Sequence, residues 1–222
     1  MSPLVSAESS TLLIVDVQSR LLPAIHDGPR VLANCIWLAQ VAQRLDVPIV
    51  ASEQYPQGLG RTAPELAAVL PADSVRTKVH FSCVADGCFD DVEVFQRPQI
   101  VIAGTEAHVC VLQTALDLAT LGTQVFVVAD AVGSRRAEDR ELALARFRRH
   151  GIDVVSREMV AFEWLHRAGT DLFREVSREF LRPHPDLPPR SRGKERTTSI
   201  ESIAGQSDGP HHDLPPPSRG KA

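Results

Sequence analysis

The 222-residue sequence contains no apolar run near the roughly 20 residues that a membrane-spanning helix needs. Its longer runs, such as residues 11–15 and 125–129, fall far short, so no membrane partner is expected. Positive charge is not in excess either. With 24 basic and 28 acidic residues the net charge is -4 with neutral histidines, which offers phosphate backbones no electrostatic footprint. Nucleic acid is therefore not an expected partner. Residues 1–10 lack the basic and apolar regions of a secretory signal, and a cytoplasmic location is expected. Cysteine is scarce: Cys35, Cys83, Cys88 and Cys110 are too few to frame a chain of this length, and free thiols are expected. Lysine is scarcer still, with three among the 24 basic residues, and two of those, Lys194 and Lys221, lie near the C-terminus.

What is present suits one globular domain with an appendage: 43% of residues are hydrophobic and 23% charged. Residues 183–222 hold eight of the sixteen prolines and no aromatic residue, too little apolar surface to offset the entropy of ordering. They are read as a disordered tail following a domain of residues 1–182. The tail carries a duplication, in which residues 183–194 recur as residues 210–221 with ten of twelve positions identical. Pro185, Pro188 and Arg190 fit a polyproline-type ligand, a pattern that also arises by composition alone.

Within the domain, short apolar runs alternate with amphipathic stretches. Residues 11–17, 48–51, 100–103, 124–129 and 152–155 read as buried strands. Residues 31–45, 109–121 and 138–150 read as helices, with Gly122 and Gly151 placed to end two of them. This alternation predicts an α/β fold, a doubly wound and mostly parallel sheet with helices on both faces. Ligands in such sheets bind beyond the carboxyl ends of the strands, which directs attention to the residues there.

Three residues stand out. Asp16 ends the most apolar strand, where a carboxylate is desolvated and needs a partner. Lys78 is the domain's one lysine in an arginine-rich chain, which points to a need for a compact ammonium rather than a planar guanidinium. Cys110 falls between a strand and a helix, where first-turn N–H groups lower a thiol pKa and can hold an oxyanion. Cys35, Cys83 and Cys88 have no charged partner assignable from sequence and read as structural. Together the three residues supply a nucleophile, a proton carrier and a stabilising cation, the requirements of acyl transfer.

These residues, in Asp16-Val-Gln18, Lys78-Val-His-Phe-Ser82, Gly104-Thr-Glu-Ala-His-Val-Cys110 and Val127-Val-Ala-Asp-Ala-Val-Gly-Ser-Arg135, resemble the isochorismatase-like cysteine hydrolase family over residues 9–165. The resemblance implies a three-layer α/β/α fold, a catalytic Asp16, Lys78 and Cys110, and a cis peptide bond joining Thr105 to Glu106. It also implies an oxyanion hole from the backbone N–H groups of Glu106 and Cys110, and a homo-oligomer. The implied reaction is hydrolysis of a small carboxamide or related C–N bond through a thioester acyl-enzyme. Alternatives are an isochorismate-type vinyl ether hydrolase and a non-catalytic oligomeric binding protein on the same fold. Where metal-holding relatives carry an Asp-x-His element, this chain reads Ala51-Ser-Glu-Gln-Tyr-Pro56, so neither metal nor another cofactor is expected. His26, His150 and His166 read as surface or capping residues. The segment Glu53-Gln-Tyr-Pro-Gln-Gly-Leu-Gly60 is similar to the uncharacterised hydrolase branch of the family. Gln18, Gln54, Tyr55, Phe81 and His108, which flank these motifs, are the expected pocket for a small-molecule substrate. Lys78 is the cation expected near it, with Arg61 the other candidate by position but read as a solvated loop residue.

Overall fold

The computed structural model describes residues 4–181; the tail read from residues 183–222 lies outside the described residues. In chain order the elements are β1 (Ser10–Val15), α1 (Gly28–Arg44), β2 (Ile49–Gln54), α2 (Pro56–Leu59), α3 (Pro64–Ala67), β3 (Val75–Lys78), α4 (Cys83–Asp86) and β4 (Gln99–Thr105). They continue with α5 (Cys110–Thr120), β5 (Gln124–Gly133), α6 (Ala137–Arg149), β6 (Asp153–Val155), α7 (Arg157–Leu165) and α8 (Asp171–Glu179). None of the described helices is long and apolar enough to cross a membrane.

Six parallel strands form one sheet in the order β3-β2-β1-β4-β5-β6. The central strands are apolar without interruption because both of their faces are covered. Leu12 and Ile14 of β1 join Val101 and Ala103 of β4 and Phe126 and Val128 of β5 in one core layer. Their alternate neighbours, Leu13, Val15, Ile100, Ile102, Val125 and Val127, form the other. α1 closes the first layer with Val31, Cys35, Leu38, Ala39 and Ala42, a helical spacing of three and four. α5 and α6 close the second through Val111, Ala115, Leu118, Leu144 and Phe147. This is the three-layer doubly wound arrangement expected.

Two features position the site. The chain leaves β1 toward β2 and β3 on one side and returns through β4 on the other, so the strand order reverses between β1 and β4. A crevice opens at such a point beyond the strand ends. At Gly104, φ is +118° and an added Cβ would stand 2.1 Å from the Val15 carbonyl oxygen, so only glycine lets β4 lie this close to β1. Beyond it, the Thr105–Glu106 peptide bond is cis.

β3 has no counterpart in the sequence reading. Val75-Arg-Thr-Lys78 is an edge strand, half-buried to exposed until Lys78, and carries no apolar run. β5 also runs past residue 129 to Gly133, through a register irregularity opposite β4.

Candidate active site

Each chemically active side chain is delivered by the end of a strand or the start of the helix that follows. Asp16 comes directly after β1, turns into left-handed backbone at φ +50° and is fully buried. Short Asp side chains tolerate that conformation better than most. Its carbonyl accepts hydrogen bonds from Thr105 Oγ1 at 2.7 Å and the Gln18 N–H at 3.0 Å, which ties the turn to β4. Its carboxylate accepts from Ser52 Oγ at 2.7 Å and from Lys78 Nζ at 2.8 Å.

Lys78 ends β3 in register with Gln54 of β2. Its Nζ donates to Asp16 Oδ2, to Gln54 Oε1 at 2.7 Å and to the Phe81 carbonyl at 3.1 Å, with the His80 carbonyl farther off at 3.4 Å. Burying an ammonium and a carboxylate costs several kcal/mol per ion, regained only when all their bonding capacity is met. Here the three ammonium protons find three oxygen acceptors. Burial works against the charge, but the Asp16 carboxylate and then Cys110 outweigh it and hold the ammonium above its ordinary range. Lys78 is a fixed cation.

Cys110 is the first residue of α5 and is buried with 6% exposure. Its Sγ lies 3.9 Å from Gln54 Oε1, the atom that also receives Lys78. Gln54 can present that oxygen inward because its Nε2 donates to the Val79 carbonyl at 2.8 Å. The lowered thiol pKa expected from a helix N-terminus is not what this environment produces. Burial first, then the Asp16 carboxylate, push the Cys110 thiol up, and Lys78 opposes them only in part. This environment favours the thiol over the thiolate, against the lowered pKa expected from the helix start. Cys83 is the thiol held down, by the Cys88 hydrogen bond and by Lys78 against its own burial. Burial pushes Cys35 up to about 12, an inert structural thiol.

Asp16, Gln54 and Cys110 floor a pocket of about 370 Å³. Leu21, Leu59, Phe81 and Val109 wall it, and Glu106 and Arg135 stand at its side. Two other clefts of about 340 and 350 Å³, one beside residues 4–8 and one beside residues 95–98, hold neither a cysteine nor a buried ion pair. Of the five residues expected to form the pocket, Gln54 and Phe81 line it. Gln18 does not: it is fully buried behind the site, accepting from the Gln54 N–H at 2.8 Å and donating to the Gln54 and Gly60 carbonyls. Tyr55 projects outward at 55% exposure, and His108 turns aside to Ser134 Oγ at 3.0 Å. Arg61 is spent on Glu53 at 3.0 Å with its side chain 77% exposed. The cation at the pocket is Arg135, which pairs with Glu106. Arg135, Ser52, Leu21, Leu59 and Val109 were not singled out from sequence, since segments far apart in the chain bring them here. The buried polar run Ser52-Glu53-Gln54 closing an otherwise apolar strand was the available signal. His150 and His166 occupy helix C-caps. Among the described residues no group of three or more His, Cys, Asp or Glu side chains is placed to hold a metal.

The isochorismatase domain family matches residues 10–159, a span containing every residue of this site. The chain belongs to the isochorismatase family. It is similar to isochorismatase domain-containing protein 2A of Mus musculus, 36% identical over 187 residues covering 81% of this chain and 86% of the relative. The Danio rerio isochorismatase domain-containing protein 2 is 35% identical over 182 residues, covering 82% and 91%. Among solved structures, the MAR1 ribonuclease of Caenorhabditis elegans superposes with a TM-score of 0.75 at 31% identity, covering 85% of this chain and 98% of that one. The YcaC gene product of Escherichia coli, an octameric hydrolase of unknown specificity, superposes at 0.71 with 25% identity, covering 75% and 84%. As an isochorismatase-family protein the chain is a hydrolase, and its strand-end crevice is set on one parallel sheet between helices.

Proposed function

We propose that this hydrolase cleaves a small carboxamide or related C–N bond through a thioester on Cys110. The observation that carries the reading is the placement of the Cys110 thiol, at the start of α5, on the same pocket floor as a fully buried, lysine-paired carboxylate. The Cys110 thiol attacks the substrate carbonyl as its proton passes to Asp16. The carbonyl oxygen takes up the negative charge and is held by the backbone N–H groups of Glu106 and Cys110. Collapse of the tetrahedral intermediate breaks the C–N bond, and Asp16 returns the proton to the departing amine. Asp16 then takes a proton from water, whose oxygen attacks the thioester, and the acid leaves as the thiol is restored. Lys78 stays charged throughout, so Asp16 gains and loses a proton beside a constant cation.

The nematode relative's name raises RNA as a substrate, but the net charge of -4 and the apolar pocket walls favour a small molecule. The octameric Escherichia coli relative supports a homo-oligomer, and four free cysteines suit a reducing cytoplasm. Incubation with a panel of primary carboxamides should release ammonia, and an intact-mass measurement during turnover should show an acyl adduct on Cys110. Cys110→Ala should abolish both; ammonia release undiminished in that variant would refute the mechanism.

A further inference from the structure

Arg135, the cation lining the pocket, and Lys78, buried behind its Asp16, are both already occupied by the protein's own carboxylates. Lys78 faces Asp16 at 2.8 Å with both side chains fully buried. Arg135 Nε contacts Glu106 Oε1 while its Nη2 lies 3.3 Å from Oε2, a two-point pairing of guanidinium and carboxylate. The Glu106 side chain is 8% exposed and that of Arg135 is 59%, so the carboxylate is buried and the guanidinium reaches over it from the solvent side. His108 Nε2 lies 3.7 Å from Glu106 Oε2 and 3.8 Å from Asp139, which adds no unmatched positive charge. The rest of the wall, Leu21, Leu59, Phe81 and Val109, offers neither a charge nor a side-chain hydrogen bond.

Resting on the amidase reading, we infer that the substrate is an uncharged, short aliphatic carboxamide, and that Glu106 excludes carboxylate-bearing analogues by occupying Arg135. A second carboxylate in this pocket would have to break an existing pair or sit without a cation among apolar side chains, and either course is unfavourable. An alkyl chain gains free energy from burial against the same walls. The amide end meets Cys110 and Gln54 on the floor.

Butyramide and succinamate test this, since they share a chain length and differ by a terminal methyl against a carboxylate. The expected kcat/KM favours butyramide by roughly 100-fold, the scale at which a pocket discriminates by one mismatched group. Glu106→Gln, which keeps the shape and frees Arg135, should raise the succinamate-to-butyramide ratio at least about tenfold, and Glu106→Gln/Arg135→Gln should reverse that gain.

Alkylation of Cys110 supplies a readout that needs no turnover, because iodoacetamide and iodoacetate differ in the same way. Peptide mass spectrometry should show Cys110 preferring iodoacetamide by a larger factor than glutathione does, with the excess lost in Glu106→Gln. Equal handling of the two amides, or a ratio unmoved by Glu106→Gln, overturns the assignment of Glu106 and leaves the amidase reading standing. Excess alkylation selectivity without hydrolysis of any amide overturns the amidase reading and retains the pocket's preference for neutral groups. Absence of both hydrolysis and excess selectivity overturns the two together.

Discussion

Removing the Lys78 ammonium leaves the Asp16 carboxylate buried without its cation, and breaking a buried pair in this way costs about 3–5 kcal/mol. Lys78→Met should therefore lower the urea midpoint by that equivalent, and adding Asp16→Asn should recover part of the loss. A loss under about 1 kcal/mol, the value of a surface pair, would contradict the buried geometry. The raised thiol has its own signature. An unfolded Cys110 ionises near the ordinary 9.0 while the folded thiol keeps its proton, so its contribution to stability is complete below pH 9 and declines as pH rises toward the folded value. Lys78 repeats the pattern above 10.5, its folded value also being raised. Thermal melts should thus show a Tm falling from pH 9 upward, and falling less between 9 and 10.5 in Cys110→Ala. At this scale the sequence was informative for Asp16, Lys78 and Cys110, because each is chemically at odds with its neighbours in the chain. Gln18 and His108 misled because adjacency along the chain is not adjacency in space: each turns away to hold backbone or a hydroxyl behind the pocket.

The elements were legible where burial on both faces writes a continuous apolar run, as in β1 and β4, or where one face repeats every three to four residues, as in α1. β3 was not, because an edge strand needs no such run, yet it carries Lys78. The two sheet halves join at Gly104, and glycine there serves the packing of strands rather than a turn. Gly104→Ala should cost several kcal/mol, since its Cβ would collide with the Val15 backbone. Gly122, at φ +88° with nothing within 4 Å of an added Cβ, supplies the control: its alanine variant should lose only about 1–2 kcal/mol, the cost of left-handed backbone. Urea titrations of the two variants compare them directly, and similar losses would remove the close strand approach as an explanation.

For the whole molecule, the expected oligomer is a question of mass. Sedimentation equilibrium should return a multiple of the 24.3 kDa chain, and a single species at that mass would overturn the expectation. The topology of the sheet was readable as a class from the alternation of strands and helices. Its order was not, because nothing local distinguishes a strand that adds beside β1 from one that crosses to the far side.

That crossing divides the site between two stretches of chain. Asp16, Gln54 and Lys78 come from the portion ending at β3, whereas Glu106, Cys110 and Arg135 come from the portion beginning at β4. The two meet along the paired backbones of β1 and β4, with Ser10 opposite Gln99 and Val15 opposite Gly104. On the proposed mechanism, a break in the connection near residues 87–92 would leave one fragment with the proton acceptor and its cation and the other with the sulfur. Neither fragment should then release ammonia from an amide alone, and its release on mixing them would report the moment at which the central seam of the sheet closes.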